Sequence, residues 1–239
     1  MELAPAQVSE VLRRGELELL GRMAWSSNAT FLVTASCDGV EVPAVYKPRR
    51  GERPLWDFPE GTLCAREAAA YELSHALGWA LVPETVLRDG PHGLGMVQQF
   101  VDHDPEDHYF TLLEAHAEIF RRFAVFDVLA NNADRKGGHC LLARRDGHVW
   151  GIDHGLTFHV APKLRTVIWD FAGESVPPEL AESVRCLVAG LGSAPGAALR
   201  GLLAPAELDA LAHRGEALLA EGLFPAPDEG YHSVPWPLV

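Results

Sequence analysis

Apolar positions change their period several times along the chain, and the changes mark its elements. Val8, Val11 and Leu12 fall at helical spacing until Gly15 interrupts them, and residues 16–23 then alternate as on a strand. The turn formers Trp25-Ser-Ser-Asn-Ala-Thr30 separate that strand from a second one beginning at Phe31. Asp38-Gly39 is a hairpin signal, and 41–47 reads as the returning strand, with Pro43 weakening its first half. Residues 63–77 are strong helix formers, bracketed by Thr62 as N-cap and Gly78 as C′. Two strands follow around Arg88-Asp-Gly-Pro-His-Gly93, the second ending at Val101. The segment 112–130 is apolar nearly all round, which predicts a central buried helix. Short strands are expected at 139–143 and 147–152. Two more helices are expected at 179–191 and 207–221, the last closed by Gly222, and four prolines make 225–239 extended. Residues 156–169 carry no clear period.

This pattern is α+β in two parts: a small β-rich part with one helix over 1–101, and a larger helical part over 102–239. Its 239 residues suffice for a large core, and 48% hydrophobic with 22% charged residues excludes general disorder. The net charge of -13 argues against nucleic acid as a partner, because phosphate backbones need cations. It also argues against adhesion to anionic lipid through bulk charge, while a local basic patch leaves peripheral membrane contact open. Cys37, Cys64, Cys140 and Cys186 form no CxxC, so no zinc knuckle is expected and a reducing compartment is. No basic-then-apolar leader opens the chain, and no apolar run approaches the ~18 residues of a membrane span, so the cytoplasm is the expected location. His103 and His108 among the acids of 102–109 invite a metal reading, but Pro105 favours a solvated linker.

Several residues carry candidate chemistry. Ser26, Ser27 and Asn28, small and polar between two strands, can turn backbone N–H groups toward phosphate oxygens, or form an ordinary turn. Lys47 shares a strand face with Val45, which puts it on the apolar side where a lysine needs an anion; the alternative is a strand-end lysine reaching water. Glu67 can point inward with Tyr71 beside it, or pair on the helix surface. In Asp127-Val-Leu-Ala-Asn-Asn-Ala-Asp134 a polar knot follows an apolar helix, and the acidic turn Gly151-Ile-Asp-His-Gly155 follows one hairpin later. Loops fixed in this way commonly hold catalytic side chains. Phosphoryl transfer needs a cation for the phosphates, a partner holding that cation, a carboxylate for the attacking hydroxyl and oxygen ligands for Mg²⁺. Lys47, Glu67, Asp134 and Asp153 supply these in the order used by protein and lipid kinases.

Six stretches between about residues 17 and 171 resemble the phosphatidylinositol 3-/4-kinase-like superfamily, most nearly the type II phosphatidylinositol 4-kinases and their bacterial relatives. They are Ser26-Ser-Asn-Ala-Thr-Phe31 for the phosphate loop, Val45-Tyr-Lys-Pro48 for the lysine strand and Arg66-Glu-Ala-Ala-Ala-Tyr71 for the glutamate helix. Gln98-Gln-Phe-Val101 matches the hinge, Asn132-Ala-Asp-Arg135 the catalytic loop and Ile152-Asp-His-Gly-Leu-Thr-Phe158 the metal turn. The resemblance implies a two-lobed protein-kinase-like fold and an ATP-dependent kinase using Mg²⁺, with Mn²⁺ as an alternative. It implies that Lys47 binds phosphates and pairs with Glu67, and that the backbone of Gln98, Gln99, Phe100 and Val101 receives adenine. Asp134 becomes the catalytic base, Lys136 neutralises the γ-phosphate, Asp153 holds the metal and Asp127 braces the loop. The family usually places Asn five residues after the catalytic Asp as a second metal ligand; here His139 stands there. Imidazole suits softer metals than Mg²⁺, so a nucleotide-binding pseudokinase or scaffold is the competing function. A metallohydrolase on His139, Asp153 and His154 would leave Lys47 and Glu67 without a role. The acceptor is an alcohol, on an inositol lipid, a small molecule or a protein. The absence of a basic amphipathic helix or acylation-type Cys cluster favours the latter two.

Overall fold

The computed structural model describes residues 3–23, 28–228 and 232–239. Helix α1 (Pro5–Arg14) precedes β1 (Glu16–Arg22), β2 (Phe31–Cys37) and β3 (Val40–Pro48). Helix α2 (Leu63–Leu77) then leads to β4 (Thr85–Gly90) and β5 (Gly93–Gln99). These strands form one antiparallel sheet in the order β1-β2-β3-β5-β4. On one face Val8, Val11 and Leu12 of α1 pack against Val33, Ala35, Val42, Ala44, Tyr46 and Val97. Lys47 and Val45 lie on the opposite face. The expectation that this pair shares the apolar side is therefore corrected: alternation along β3 gives the core to Val42, Ala44 and Tyr46, and turns Lys47 toward α2.

The helical part contains α3 (Tyr109–Leu112), α4 (Ala117–Ala130), the hairpin β6 (Cys140–Leu142) and β7 (Val149–Gly151), and then α5 (Pro178–Gly190), α6 (Ala197–Leu202) and α7 (Pro205–Glu221). Phe120, Phe123, Phe126 and Leu129 of α4 are fully buried in the main core. The single helix expected over 112–130 is broken in two. His116 leaves the helical region at φ -126°, and the chain restarts there. The break lets the ring of Tyr109 meet Phe120 edge-on at 4.9 Å while its hydroxyl donates to Asp170.

Helix α2 also starts differently from expectation. Thr62 sits at φ -109°, ψ -7°, already helical, and makes no side-chain cap. Its hydroxyl instead donates to the Pro59 carbonyl at 2.7 Å. The Glu52 carboxylate accepts the amides of Leu63 at 3.2 Å and Cys64 at 2.8 Å, and so satisfies the open N–H groups of the first turn from a distant loop. Gly78 closes the helix at φ 69°, as its C′ position predicts. Among the described residues no helix is long and apolar enough to cross a membrane.

Candidate active site

Glu67 points inward because α2 approaches its neighbours on three alanines. Ala68, Ala69 and Ala70 are buried, and their small side chains admit the helix close to the rest of the core. Arg66, also buried, donates to the Thr157 carbonyl and pairs with Glu207 of α7, which ties α2 to the segment after Asp153. Glu67 Oε1 accepts from Lys47 Nζ at 2.7 Å, and Oε2 accepts the backbone N–H of His154 at 2.8 Å. Lys47 Nζ also donates to Asp153 Oδ1. Tyr71 takes no part; its hydroxyl donates to Glu84 at 2.6 Å.

The electrostatics follow from this three-way contact. Burial works against the Lys47 ammonium, but Asp153 and Glu67 outweigh it and hold the lysine protonated. The Lys47 charge in turn keeps the Asp153 carboxyl well below the usual carboxylate range. Asp153 occupies the left-handed region at φ 63°. Such a conformation in a non-glycine residue persists only where its surroundings hold it, a feature that clusters at functional sites.

The loop after α4 is built on a buried ion pair. Helix α4 ends at Asn131 in the left-handed conformation, φ 49°. Asp127, one turn earlier, accepts from Arg135 Nε at 3.0 Å and Nη2 at 2.9 Å, from Asn132 Nδ2 at 2.9 Å and from Thr166 Oγ1 at 3.2 Å. Both members of the Asp127–Arg135 pair are fully excluded from solvent. Arg135 Nη2 also lies 2.7 Å from His154 Nε2, so one guanidinium joins helix, loop and metal turn. Within this frame the Asn132 side chain accepts the amide of Asp134 at 3.0 Å. The carboxylate of Asp134 stays partly exposed, 3.1 Å from Lys136 Nζ. Burial raises its pKa, against the opposing pull of Lys136.

Lys47, Glu67, Asp134, Asp153 and Asn28 line one cavity of about 290 Å³. Ser26 and Ser27 lie outside the described residues; Asn28 accepts the amide of Arg53 at 2.9 Å. At the hinge, the Gln98 side chain donates to Thr85 Oγ1, and the amides of Gln99 and Phe100 are spent on the carbonyls of Glu84 and Pro43. Val101 remains, above a small apolar cluster with Leu141, Ala143, Trp150 and Ile152. His139 Nε2 faces Asp153 Oδ2 at 3.5 Å, while its Nδ1 accepts the Lys136 amide at 3.4 Å. That arrangement leaves the ring proton on Nε2, directed at the Asp153 carboxylate. Burial pushes the His139 pKa down to about 4, so the ring is neutral.

Among the described residues no group of three His, Cys, Asp or Glu side chains could by itself enclose a metal ion. His154, fully buried and taken up by Arg135, does not join His139 and Asp153 as a ligand set, which removes the metallohydrolase arrangement. Asp134 and Asp153 line the same cavity and are the carboxylates that would hold a hard divalent cation, since Mg²⁺ and Mn²⁺ in phosphate sites need one or two protein carboxylates, with phosphate and water completing the shell. Sequence reading overlooked Arg135 as the organising cation, Glu52 as the cap and Arg53 in the cavity wall. Only the Asp-Arg dipeptide at 134–135 offered a signal for any of them.

A sequence model of the phosphatidylinositol 3- and 4-kinase family matches residues 86–187. The match includes Asp134 and Asp153, and begins after Lys47 and Glu67. Protein Rv2133c of Mycobacterium tuberculosis (strain ATCC 25618 / H37Rv) is 44% identical over 262 residues, spanning 95% of this chain and 94% of that protein. Among solved structures, the Golgi casein kinase with Mn/ADP bound superposes with a TM-score of 0.59 at 14% identity, covering 97% of this chain and 78% of that one. A second Golgi casein kinase structure gives 0.56 at 15% identity, covering 94% and 79%. At such identities the likeness is one of fold, and it is a protein-kinase-like fold. Motif order, fold and family match agree: the chain is a kinase-like member of the phosphatidylinositol 3-/4-kinase-like superfamily, in one family with protein Rv2133c.

Proposed function

We propose that this phosphotransferase-type protein transfers the γ-phosphoryl group of ATP to an alcohol. The observation that carries the reading is the bridge from Lys47 Nζ to Glu67 Oε1 at 2.7 Å and onward to Asp153. A lysine held by one buried carboxylate and facing a second is what a triphosphate with its cation requires. In this reading residues 1–101 and 102–239 are the two lobes of the kinase. Lys47 binds the phosphates and Glu67 fixes its position. Val101 and the apolar cluster beneath it receive the adenine ring. Asp134 accepts the proton of the acceptor hydroxyl as its oxygen attacks, and its raised pKa suits that task. Lys136 lies close enough to offset charge on the transferred group. Asp153, with Asp134 nearby, would hold Mg²⁺ or Mn²⁺, which neutralises phosphate charge and aligns the phosphoryl group. His139, neutral and directed at Asp153, orients that carboxylate.

The same His139 geometry favours one second reading, a pseudokinase that binds nucleotide without transfer. Asp134→Asn tests the first. It should keep the fold and nucleotide binding and lower ATP turnover by ~10²–10⁴-fold. Unchanged turnover in Asp134→Asn sinks the base assignment. Stabilisation of the wild-type protein by ATP with metal, without any ATP consumption, selects the pseudokinase.

A further inference from the structure

Gln98 is a buried amide on the strand that leads into the hinge. In β5 it stands directly opposite Val45 of β3 on one side and Thr85 of β4 on the other. Residues opposite one another in an antiparallel pair share a face. Gln98 therefore lies on the face of Val45 and Lys47, away from the one that α1 covers. Further along the same stretch is Val101, beside which the phosphotransferase reading puts the adenine ring. Val101, Leu141 and Ile152 of the neighbouring apolar cluster carry no polar side-chain atom, so Gln98 is the polar contrast to them.

The direction of the Gln98 amide follows from Thr85. The Thr85 hydroxyl donates to the Pro83 carbonyl at 2.7 Å, which takes its single proton. Toward Gln98 the Thr85 oxygen can then act only as an acceptor, and it is the amide nitrogen that meets it, Nε2 to Oγ1 at 2.8 Å. A flipped amide would set two oxygens against each other where both residues are buried, with no donor to compensate. With Nε2 turned to β4, Oε1 is turned away from it, to the side of Val45. Among the described residues Oε1 accepts no hydrogen bond from the protein, and it is not sealed from solvent. It is an acceptor of fixed direction with its lone pairs open.

We propose that Gln98 Oε1, aimed by Thr85, selects the nucleobase: it accepts a hydrogen bond from the 6-amino group of adenine and rejects 6-oxopurines. The proposal rests on the phosphotransferase reading for where the base lies, and on Thr85 for the orientation of the amide. An acceptor that cannot turn pairs with an amino group and faces the oxygen of guanine or hypoxanthine with a second oxygen, which leaves both unpaired. An amide free to rotate would lose that discrimination, because it could offer its NH₂ to the oxo group instead. Thr85, which does not reach the base, is thus a positioning residue for the selection.

Nucleotides that differ only at position 6 of the purine test it. ATP, inosine triphosphate and purine riboside 5′-triphosphate, each with Mg²⁺, are titrated calorimetrically into the full chain. Inosine triphosphate has oxygen in place of the amino group, and the purine riboside compound has hydrogen. The wild type should bind ATP at least ~10-fold better than either. In the nearly isosteric Thr85→Val the amide is released, and the ratio of ATP to inosine triphosphate affinity should fall at least ~5-fold. Gln98→Leu should narrow the gap between ATP and the purine riboside compound by a similar factor, and it keeps the test open if Thr85→Val does not fold. Equal affinity of the wild type for ATP and inosine triphosphate overturns the proposal. Unaltered ratios in the variants overturn it as well, even where all three nucleotides weaken together, since a purely structural role would do that. A wild type that binds none of the three sinks the phosphotransferase reading and this inference with it. Surviving turnover in Asp134→Asn sinks the base assignment alone and leaves the affinity ratios standing.

Discussion

Lys47 Nζ and Glu67 Oε1 meet at 2.7 Å although 20 residues separate them, and both side chains are largely withdrawn from water. The pair holds together a sheet, a helix and, through the second bonds of each member, the turn at Asp153 and His154. Lys47→Met removes the cation that bridges Glu67 and Asp153. ATP affinity should fall by at least ~10-fold, and the ATP-dependent rise in melting temperature expected of the wild type should vanish. A full thermal response to ATP in Lys47→Met would show that the lysine does not read the nucleotide.

Asp127→Ala leaves the Arg135 guanidinium buried without its carboxylate. Stability should drop by about 3–5 kcal/mol, as for other buried pairs broken on one side. Urea denaturation measures it. Replacing both partners with apolar residues should cost less than either single change, because no uncompensated charge then remains.

Glu52→Ala removes the acceptor of two α2 amides, whereas Thr62→Ala removes none. Loss of a helix cap costs ~1 kcal/mol. Glu52→Ala should therefore destabilise by about that amount, and Thr62→Ala by less. The reverse order in denaturant midpoints would return the cap to Thr62.

Acid should weaken the fold in a defined window. The His139 pKa is depressed from 6.5 to about 4 by burial, and that of His154 is depressed in the same direction. Between these values the unfolded chain takes up protons that the folded chain refuses, so stability falls as the pH drops from about 6.5 toward 4. His139 alone accounts for about 3 kcal/mol across that window. The Asp153 carboxyl is depressed as well, by Lys47, so its contribution is lost only below about pH 4. His139→Asn should flatten the pH 4–6.5 limb of the stability curve by close to one proton and leave the more acidic limb in place. An unchanged slope would place the histidine in water.

The site was legible where neighbouring residues carry the chemistry. Asp134, Asp153 and Lys47 stand in short stretches whose order along the chain mirrors the use proposed for them, and Glu67 follows on a helix whose stop at Gly78 was clear. The break at His116 was not legible, since an apolar segment gives the same period whether it is one helix or two. Neither was the role of Glu52, because a side chain that caps a helix from 11 residues away leaves no local pattern.

By itself the sequence determined the sheet-forming and helix-forming segments, since alternation and helical period are local properties of the chain. It also determined which functional groups are available, through the residue types in its loops. Only the tertiary structure decided which of them meet. The face of β3 that carries Lys47 followed from which neighbour α1 covers, and the burial of Arg135 followed from the packing of α4 against the hairpin and the metal turn. His139 became a neutral partner of Asp153 rather than a solvated base because long-range packing removed its water. Distance, desolvation and field arise between segments far apart in the chain, and they are fixed only when those segments are brought together.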